Sequence, residues 1–468
     1  MKSRFIVLLA DGARYDVFRE HLDQGNLPNI EEVFLQRGNF AKATSAFPST
    51  TGPAYMPFLT GCFPGTCNVP GIRWFDKDLY ANTRFSMKRY RSYVGFESFL
   101  MNHDMKRDYP TLFELFPKSY TIFSTINRGV PSKGNLTPHC RLWYWYYAHL
   151  TDRWHMVDAA ALNKALSVIR KDFEFLFVVF PGIDEYSHLS HCRHPNAKKA
   201  YQFVDEAVGR MAAELKKEGK QDETAMFIVS DHGLSQTDEH FGVASFIEEK
   251  GIKTFYYPKI FKRNFKVASM VSGNGMLNLY FKSNGSWAGR SSEAMVEEQF
   301  PGLLQDLIEQ PAVDLALSQD SDGWVRARGK GGVVRILEKD SRLHWENLEG
   351  DVLELGEKKG DLDFLQALEK TGSTPYPDSL LQISQLFRSH RTGDVVLSAA
   401  KGYDLRKRFE YPEHKSSHGA LHDEHMLIPL FSSEPMKRDL VRSADLFPSI
   451  LELSGRKIPE NIDGKSFV

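Results

Sequence analysis

The chain has 468 residues, of which 59 are Lys or Arg, 60 are Asp or Glu, and 42% are hydrophobic. This length allows one large domain with insertions, or two to three smaller domains, and it is enough to bury a sizeable core. The balanced charge gives no signal for binding a nucleic acid polymer or an anionic membrane. The hydrophobic share excludes an intrinsically disordered chain.

Cysteine usage and the N-terminus bear on the compartment. The four cysteines include no CxxC pair, so we expect no disulfide framework. The apolar run over 5–10 is cut short by Asp11 and is too brief for the apolar region of a signal peptide. No stretch approaches the roughly 20 apolar residues of a membrane span. We therefore expect a cytoplasmic protein without a transmembrane anchor, whose oligomeric state the sequence does not indicate.

Strand and helix patterns alternate through the first half of the chain. We predict a buried strand over 5–10 and helices over 16–24 and 27–37, then a helix over 111–116 and a strand over 120–126. A helix over 158–173, a strand over 174–180, an amphipathic helix after 195 and a buried strand over 225–229 follow. This alternation predicts an α/β fold with a mostly parallel central sheet flanked by helices.

We interpret the whole chain, 1–468, as a single domain with cap insertions at about 77–110, 127–156 and 250–385. Short strand patterns predict a smaller β-rich insertion over 250–345, whereas 346–385 shows no clear pattern. Strand and helix patterns return over 395–400 and 443–454. The aromatic run over 143–147 would stack a base, hold a lipid tail, or pack beneath a cap.

Three of the predicted buried strands end at an aspartate: Asp11, Asp184 and Asp231. In a parallel sheet, ligands gather at the carboxyl ends of the strands. Three carboxylates meeting there would repel one another strongly unless a cation neutralised them. The alternative is that each aspartate caps the helix after its strand. Neighbouring histidines favour the metal site.

Three histidines complete this pattern. His188 lies four residues after Asp184, His232 follows Asp231 directly, and His418 lies far along the chain. Asp and His together offer the oxygen and nitrogen ligands that suit zinc or a similar divalent ion. Other histidines nearby in the sequence are by default surface residues or neighbours of the ligands; they are His191, His194, His240, His414, His422 and His425. The spacing leaves His191 and His194 open as alternatives to His188.

Five sequence features carry a family resemblance. They are Ala10-Asp11-Gly12; Phe47-Pro48-Ser49-Thr50-Thr51-Gly52-Pro53 with Thr60-Gly61; Asp184 with His188; Ser230-Asp231-His232-Gly233; and Ser417-His418-Gly419. In this order they resemble the alkaline phosphatase superfamily, and most closely its nucleotide pyrophosphatase/phosphodiesterase branch of metal-dependent phosphoesterases. The resemblance implies an alkaline phosphatase-like catalytic core that extends over nearly the whole chain.

The resemblance implies a site with two divalent ions, usually zinc, with manganese as an alternative. One ion would be held by Asp184, His188 and His418, and the other by Asp11, Asp231 and His232. Thr51 would be the nucleophile, with its oxygen on the second ion, and would form a phosphothreonine intermediate. The backbone amide of Gly52 would donate to a phosphoryl oxygen. Thr50 is the rival nucleophile, and alignment on Pro53 and Thr60-Gly61 favours Thr51.

The same positions discriminate between reactions. Sulfatases resemble this family but need Cys or Ser, then Pro two residues on and Arg four residues on. Here Thr51, Pro53 and Tyr55 occupy those places, so we do not expect sulfate ester hydrolysis. Diesterase members commonly have Asn three residues after the nucleophile, where this chain has Ala54.

One monoesterase branch grips phosphate with an Asn and a Lys at positions that here correspond to Ile72 and Ile126. Arg73 and Arg128 remain as candidates for binding phosphoryl oxygens, with solvated surface charge as the alternative. Because a dianionic monoester needs more positive charge than a diester, we expect a small-molecule phosphodiester or pyrophosphate substrate, such as a nucleotide. A phosphomonoesterase or phosphonate hydrolase, and a catalytically decayed metal-binding module, remain the alternatives.

Overall fold

The computed structural model describes residues 1–36, 38–138, 140–409 and 412–468. Its strands are β1 (Arg4–Ala10), β2 (Asn39–Thr44), β3 (Arg73–Phe75), β4 (Tyr90–Ser92), β5 (Ser119–Ile122), β6 (Phe175–Phe180), β7 (Thr224–Val229), β8 (Ser235–His240), β9 (Thr254–Phe255), β10 (Val267–Ser272), β11 (Met276–Phe281), β12 (Val313–Gln319), β13 (Val325–Gly329), β14 (Gly332–Lys339), β15 (Arg342–Gly350), β16 (Lys359–Asp363), β17 (Val395–Ala399), β18 (Gly402–Asp404), β19 (Ser416–Ser417), β20 (Leu427–Ser432) and β21 (Leu440–Arg442).

Its α-helices are α1 (Tyr15–Asp23), α2 (Pro28–Ile30), α3 (Met56–Thr60), α4 (Lys77–Asn82), α5 (Met101–Asp104), α6 (Leu112–Leu115), α7 (Cys140–Thr151), α8 (Trp154–Ile169), α9 (Gly182–His188), α10 (Pro195–Lys217), α11 (Val243–Glu249), α12 (Glu293–Gln299), α13 (Leu303–Ile308), α14 (Phe364–Thr371), α15 (Ser379–Leu386), α16 (Asp423–Met426) and α17 (Leu446–Leu453). Short 3-10 turns precede α3 and α17.

The central sheet has the strand order β21-β2-β20-β7-β1-β6-β5 within the described residues. The strands β5, β6, β1 and β7 are parallel to one another, but β20 pairs antiparallel with β7 and β2 pairs antiparallel with β20. The prediction of a mostly parallel sheet is therefore corrected to a mixed sheet. Strand–helix alternation determines the direction of strands joined by crossovers, whereas β2 and β20 reach the sheet from distant parts of the chain.

The parallel strands β1, β6 and β7 are predicted well because their sequences are almost entirely apolar. Every residue of β6 and β7 is buried, as expected for strands covered on both faces. The long helices α8 and α10 pack against each other, and α8 packs on β6. These layers enclose the largest hydrophobic core of the protein.

A second sheet has the order β16-β15-β14-β13-β12-β17-β11-β10-β9. Its neighbouring strands are antiparallel except β9 and β10, and it occupies most of the predicted insertion over 250–385. With nine strands in the described residues, against seven in the central sheet, it is not the smaller β-rich piece that the sequence predicts. The division of the chain into one domain with three caps stays a prediction.

Several predicted boundaries differ from the structure; the helix predicted over 158–173, for example, is α8, Trp154–Ile169. The helix predicted over 27–37 is α2 followed by a π-helical turn over Glu31–Leu35, and the predicted end at Arg37 lies outside the described residues. The strand predicted over 120–126 ends at Ile122, because Phe123 adopts a left-handed backbone with φ 60°.

Among the described helices, none combines the length and the hydropathy that crossing a membrane requires. Among the described residues, Cys62, Cys67 and Cys192 are buried free thiols.

Candidate active site

The register of the central sheet places the carboxyl ends of β1, β6 and β7 side by side at one edge. Ala10 at the end of β1 pairs with Phe180 at the end of β6, and Leu9 pairs with Val229 at the end of β7. The residues that follow these ends are the predicted aspartates and histidines. All of them are buried, and they are Asp11, Asp184, His188, Asp231 and His232. The prediction that the carboxylates converge at one edge of the sheet is confirmed.

Gly12 allows this convergence. It has φ 73°, and a Cβ there would lie 2.5 Å from Cδ1 of Leu234 and 2.8 Å from Cα of Asp184. Its backbone N–H donates to Oδ1 of Asp231 at 3.3 Å. Only a residue without a side chain fits between the loops that carry these two aspartates.

Two groups of buried side chains are close enough to share an ion. Asp184, His232 and His418 form one group, and Asp11, Asp231 and His232 form the other, with ligand atoms within 4.8 Å of one another in each group. His188 adjoins the first group, since its Nε2 lies 3.4 Å from Oδ1 of Asp184. The structure thus brings all six predicted protein ligands together. It also puts His232 between the two groups, whereas the resemblance assigns it to one.

Backbone carbonyls orient the three histidines. Nδ1 of His188 lies 2.7 Å from the carbonyl oxygen of Ser416. Nδ1 of His232 lies 3.1 Å from the carbonyl oxygen of Gly233, and Nδ1 of His418 lies 3.1 Å from that of Ser49. Because a carbonyl oxygen can only accept, Nδ1 carries the hydrogen in each ring. Nε2 is therefore the nitrogen available to a metal, in the arrangement usual for histidine ligands.

The electrostatics of the metal-free site are unfavourable for free carboxylates. Burial, together with the charges of Asp231 and Asp184, raises the pKa of Asp11 well above its usual value. Burial and Asp184 raise the pKa of Asp231 to about 7. Burial opposes ionisation of Asp184 as well, but its pairing with His188 outweighs this and lowers its pKa.

The histidines show the complementary effect. Burial lowers the pKa values of His232 and His418, so both rings are neutral and able to act as ligands. For His188, burial is outweighed by the charge of Asp184, and its pKa rises to about 9. The pairing with Asp184 keeps a proton on His188, and a bound cation would take the place of that proton.

Two buried carboxylate oxygens test whether a metal fits. Oδ1 of Asp184 and Oδ2 of Asp231 accept no well-formed hydrogen bond among the described residues; each lies beside a ring nitrogen, Nε2 of His188 at 3.4 Å and Nε2 of His232 at 3.3 Å. Buried carboxylate oxygens without a hydrogen bond are costly, and a divalent cation would satisfy both. The donor set of carboxylates and imidazoles therefore fits divalent metal ions of the zinc type.

Thr51 lies beside these ligands. Its Oγ1 is 3.0 Å from Nε2 of His232 and donates to Oδ1 of Asp11 at 3.4 Å. The hydroxyl of the rival Thr50 is fully buried and forms no hydrogen bond within the described residues. Gly52 has φ 94° and precedes a 3-10 turn, so the chain bends sharply at Thr51.

Tyr55 belongs to the site although the sequence did not single it out as a contributor. Its hydroxyl donates to Oδ2 of Asp11 at 2.9 Å, and burial and Asp11 raise its pKa well above the usual value. Because this hydrogen bond uses Oδ2 of Asp11, the other carboxylate oxygen, Oδ1, stays available to Thr51 and to a metal ion. Tyr55 lies four residues after Thr51, about one helical turn away, and this spacing is the sequence signal that points to a role in the site.

Arg141 also approaches the site, and no local pattern indicated it. Its Nε donates to the carbonyl oxygen of Phe123 at 3.2 Å, and its guanidinium lies 4.7 Å from the ring centroid of Trp145. Burial lowers the pKa of this guanidinium, an effect that its neighbours Tyr55 and Asp11 oppose. Its positive charge therefore interacts favourably with Tyr55 and Asp11.

The two predicted phosphate-binding arginines have other contacts. Arg73 donates to the carbonyl oxygen of Val271 at 3.3 Å and to Oγ of Ser92 at 3.1 Å. In Arg128, each of the three guanidinium nitrogens bonds a protein acceptor: Glu114 and the carbonyl oxygens of Lys106 and Tyr109. These bonds tie Arg128 to its own loop, and its predicted role stays a prediction.

The aromatic run over 143–147 lies on α7 and is divided between two environments. Tyr144 and Trp145 pack edge-on against Phe123. Trp143 is 62% exposed and stacks on Tyr147 with ring centroids 5.4 Å apart. Part of the run is therefore packing, and part presents an open aromatic face.

The remaining histidines have separate surroundings. His191 is exposed, and His194 caps α10 through the backbone N–H of Asn196. His414 adjoins the site, with its ring centroid 4.1 Å from that of His188.

Comparison with known proteins identifies the family. A family model for type I phosphodiesterase/nucleotide pyrophosphatase matches residues 5–421. A search of curated proteins gives no significant match.

Solved structures share the fold. Murine ectonucleotide pyrophosphatase/phosphodiesterase 5 matches at 12% identity and a TM-score of 0.57, covering 98% of this chain and 97% of its own. An inactive variant of that protein in complex with AMP matches at 12% identity and 0.57, covering 99% and 98%. Phosphonoacetate hydrolase from Sinorhizobium meliloti 1021, in complex with phosphonoacetate, matches at 13% identity and 0.55, covering 97% and 96%.

Proposed function

Because this chain belongs to the type I phosphodiesterase/nucleotide pyrophosphatase family of metal-dependent phosphoric ester hydrolases, we propose that it cleaves phosphodiesters or nucleotide pyrophosphates through a covalent phosphothreonine on Thr51. The observation that carries the proposal is the position of Oγ1 of Thr51, 3.0 Å from Nε2 of His232 and 3.4 Å from Oδ1 of Asp11. A hydroxyl so placed among candidate metal ligands is a candidate nucleophile.

The residues that would hold two ions follow from the buried groups. Asp184 and His418, with His188 beside them, would hold one ion; Asp11, Asp231 and His232 would hold the other. Zinc suits these ligands best, and manganese is the alternative. When bound, the ions supply Lewis-acid activation and neutralise charge on the attacking and leaving oxygens.

The residues of the chain then act in two steps. Oγ1 of Thr51 forms a bond to phosphorus as the bond from phosphorus to the leaving oxygen breaks, and that oxygen takes the electron pair. The threonine proton moves towards Oδ1 of Asp11, to which the hydroxyl donates. Water then bonds to the same phosphorus, the bond to Oγ1 breaks, and Thr51 regains a proton. Tyr55 keeps the Asp11 carboxylate in place throughout.

A diester or pyrophosphate is the favoured substrate class. Ile72 and Ile126 stand where a monoesterase branch has its phosphate-gripping Asn and Lys. The exposed stack of Trp143 on Tyr147 offers a surface for a nucleobase, and the murine relative named above binds AMP. A nucleotide is therefore the first substrate to test.

The experiment that tests the proposal is to quench turnover of bis(4-nitrophenyl) phosphate by the zinc-loaded protein with acid and to map the phosphorylated peptide by mass spectrometry. We expect the adduct on Thr51. An adduct on Thr50, or none under conditions where turnover is fast, would contradict the covalent step. Metal content, measured on the same sample, would separate this result from the decayed-module alternative, which predicts fewer than two ions and no turnover.

A phosphomonoesterase or phosphonate hydrolase is the second candidate. The observation that favours it is the buried Arg141, whose positive charge interacts with Tyr55 and Asp11 and would help to neutralise a dianionic group. Comparing kcat/KM for 4-nitrophenyl phosphate with that for bis(4-nitrophenyl) phosphate decides between the two classes. A cytoplasmic location stays a prediction.

A further inference from the structure

A small basic cavity lies beside the candidate active site. Its volume is about 40 Å³, and its walls come from β10, from Arg73 of β3, from the first turn of α11, from Tyr256 and Tyr257, and from the segment 405–408. Its lining includes Arg73, Arg406, Lys407 and Arg408 and contains no acidic side chain. We call it the 269–407 pocket, after Ser269 and Lys407 on its walls.

Two hydroxyl groups of this pocket need a partner. Ser269 is only 2% exposed, yet its Oγ has no hydrogen-bond partner within the described residues. The buried hydroxyl oxygen of Tyr257 is in the same situation. Native proteins rarely leave buried hydroxyls unpaired, because a buried hydroxyl has given up its hydrogen bonds to water. A ligand with acceptor oxygens would satisfy both.

The cationic side chains supply the charge for such a ligand. The Arg73 guanidinium is held at the wall by the carbonyl oxygen of Val271 and lies 5.9 Å from the ring centroid of Tyr257. Lys407 is exposed and forms no ion pair or hydrogen bond in the part of the chain that the structure describes. The nearby Asp404 is engaged with His240 at 2.8 Å.

The pocket is connected to the metal ligands through β10. Ser269 and Val271 lie on this strand, and Gly273, two residues after Val271, accepts the backbone N–H of His418 at 3.2 Å. Two residues of strand span about 7 Å. The backbone N–H of Leu405, on the opposite wall, donates to the carbonyl oxygen of Asn274 at 2.9 Å. The pocket walls are therefore joined on both sides to the backbone that carries or adjoins His418.

We propose that the 269–407 pocket binds a second anionic group of the substrate, a phosphate or a carboxylate, next to the phosphoryl group that Thr51 attacks. The inference rests on the proposed function and narrows the substrate to compounds with two anionic groups. A cavity of this size holds one oxyanion group and excludes a nucleobase. Specificity for the second anion would then reside on β10 and the segment 405–408, outside the metal ligands.

The kinetic test uses Ser269→Ala and Lys407→Ala with three substrates. ADP offers a second phosphate, phosphonoacetate offers a carboxylate, and bis(4-nitrophenyl) phosphate has a single anionic group. Both variants should lower the ratio of kcat/KM for one two-anion substrate to that for the aryl diester by at least about tenfold. The substrate affected identifies the second anion. Lys457→Ala, which removes an exposed lysine outside the pocket, is the matched control and should leave the ratio unchanged. An unchanged ratio in both pocket variants would overturn the proposal.

A binding measurement separates failure of this proposal from failure of the proposed function. Titration of ADP and of phosphonoacetate into the zinc-loaded Thr51→Ala protein by calorimetry needs no turnover. Adding Lys407→Ala should raise Kd for one of the two by at least about tenfold. An unchanged Kd for both overturns the pocket assignment, even if Thr51 proves to be the nucleophile. A raised Kd supports the pocket, even if the covalent step proves wrong.

Discussion

Asp11 is the residue on which the candidate site depends most. Its Oδ1 accepts the Thr51 hydroxyl, its Oδ2 accepts the Tyr55 hydroxyl, and it lies within ligand distance of Asp231 and His232. Each oxygen thus has a separate task. Removing the tyrosine hydroxyl would free the carboxylate to rotate away from the nucleophile, which makes Tyr55 a positioning residue.

Tyr55→Phe should weaken metal binding and slow turnover. Partners that orient a ligand carboxylate typically contribute 10- to 100-fold to metal affinity or activity, so we expect a loss of about tenfold in each. Metal titration followed by kcat at saturating zinc measures both. Tyr201→Phe is the matched control: that hydroxyl is also buried but accepts the backbone N–H of Arg14. Equal losses in the two variants would mean that Tyr55 acts through general packing alone.

The pKa of Asp231 predicts the pH dependence of the metal-free protein. This pKa is about 7 in the folded state, against 3.8 ordinarily. The folded chain therefore keeps a proton that the unfolded chain loses near pH 4. The resulting stability is present below pH 4 and lost as pH rises to about 7, with an upper bound on the order of 4 kcal/mol.

With a chelator present, the melting temperature of the wild type relative to that of Asp231→Asn should accordingly fall between pH 4 and pH 7. Asp231→Asn cannot ionise at this position, whereas the buried neutral histidines contribute their own pH dependence to both proteins. Scanning fluorimetry at pH 4, 5, 6, 7 and 8 measures both slopes. Parallel slopes for the two proteins would contradict the assigned direction of the Asp231 shift.

The sequence could identify most site residues because their chemistry is local. Asp11, Asp231 and His232 directly follow apolar strand runs, and Asp184 and His188 have the spacing of one helical turn. Arg141 could not be found in this way. It reaches the site only because α7 packs on Phe123, a contact that no periodicity in the sequence predicts.

At the scale of elements, the loops after β1 and β6 interlock at Gly12. The built Cβ there would overlap Leu234 and the backbone of Asp184. Gly25 has a similar backbone, with φ 68°, but nothing within 4 Å of its built Cβ. Comparing substitutions at Gly12 and Gly25 therefore separates the effect of backbone strain from the effect of the close approach of the two loops.

Gly12→Ala should lower stability by more than Gly25→Ala and also lose metal. Both variants carry the left-handed strain of about 1 kcal/mol, but only the first forces the Asp184 loop away from Asp11. Melting temperature and bound zinc, measured for both variants, test this. Full zinc binding by Gly12→Ala would show that the loops have room that the structure does not suggest.

The sequence predicts an element accurately where its local pattern determines it, and less accurately where distant contacts do. Strands β1, β6 and β7 are almost entirely apolar and are predicted almost to the residue. The end of β5 was placed too late, because Phe123 turns into a left-handed conformation that an aromatic residue rarely adopts. The direction of β20 depends on where a distant segment enters the sheet, which local pattern does not encode.

At the scale of the whole molecule, the two sheets contribute different parts of the candidate site. The central sheet supplies the aspartates, His188 and His232 from its strand ends, whereas β10 of the second sheet leads to Gly273, against which His418 packs. A Cβ at Gly273 would lie 2.7 Å from Nδ1 of His418. The second sheet therefore helps to form the site. The sequence pattern predicts only an insertion over this region and does not indicate that it contributes to the site.

Metal binding should stabilise the whole fold. Ions that bind only the folded chain raise stability with their concentration, and here they also relieve the repulsion among three buried carboxylates. We expect saturating zinc to raise the melting temperature at pH 8 by several degrees and to have little effect on the double variant Asp11→Asn/Asp231→Asn. An equal zinc effect on both proteins would place the ions elsewhere.

The most direct test of the central claim is turnover of bis(4-nitrophenyl) phosphate by zinc-loaded wild type, Thr51→Ala and Thr50→Ala, with bound metal measured in each sample. The account predicts that Thr51→Ala keeps its metal and loses activity by on the order of 10³-fold or more, while Thr50→Ala retains most of it. Activity of Thr51→Ala equal to that of the wild type would contradict the account.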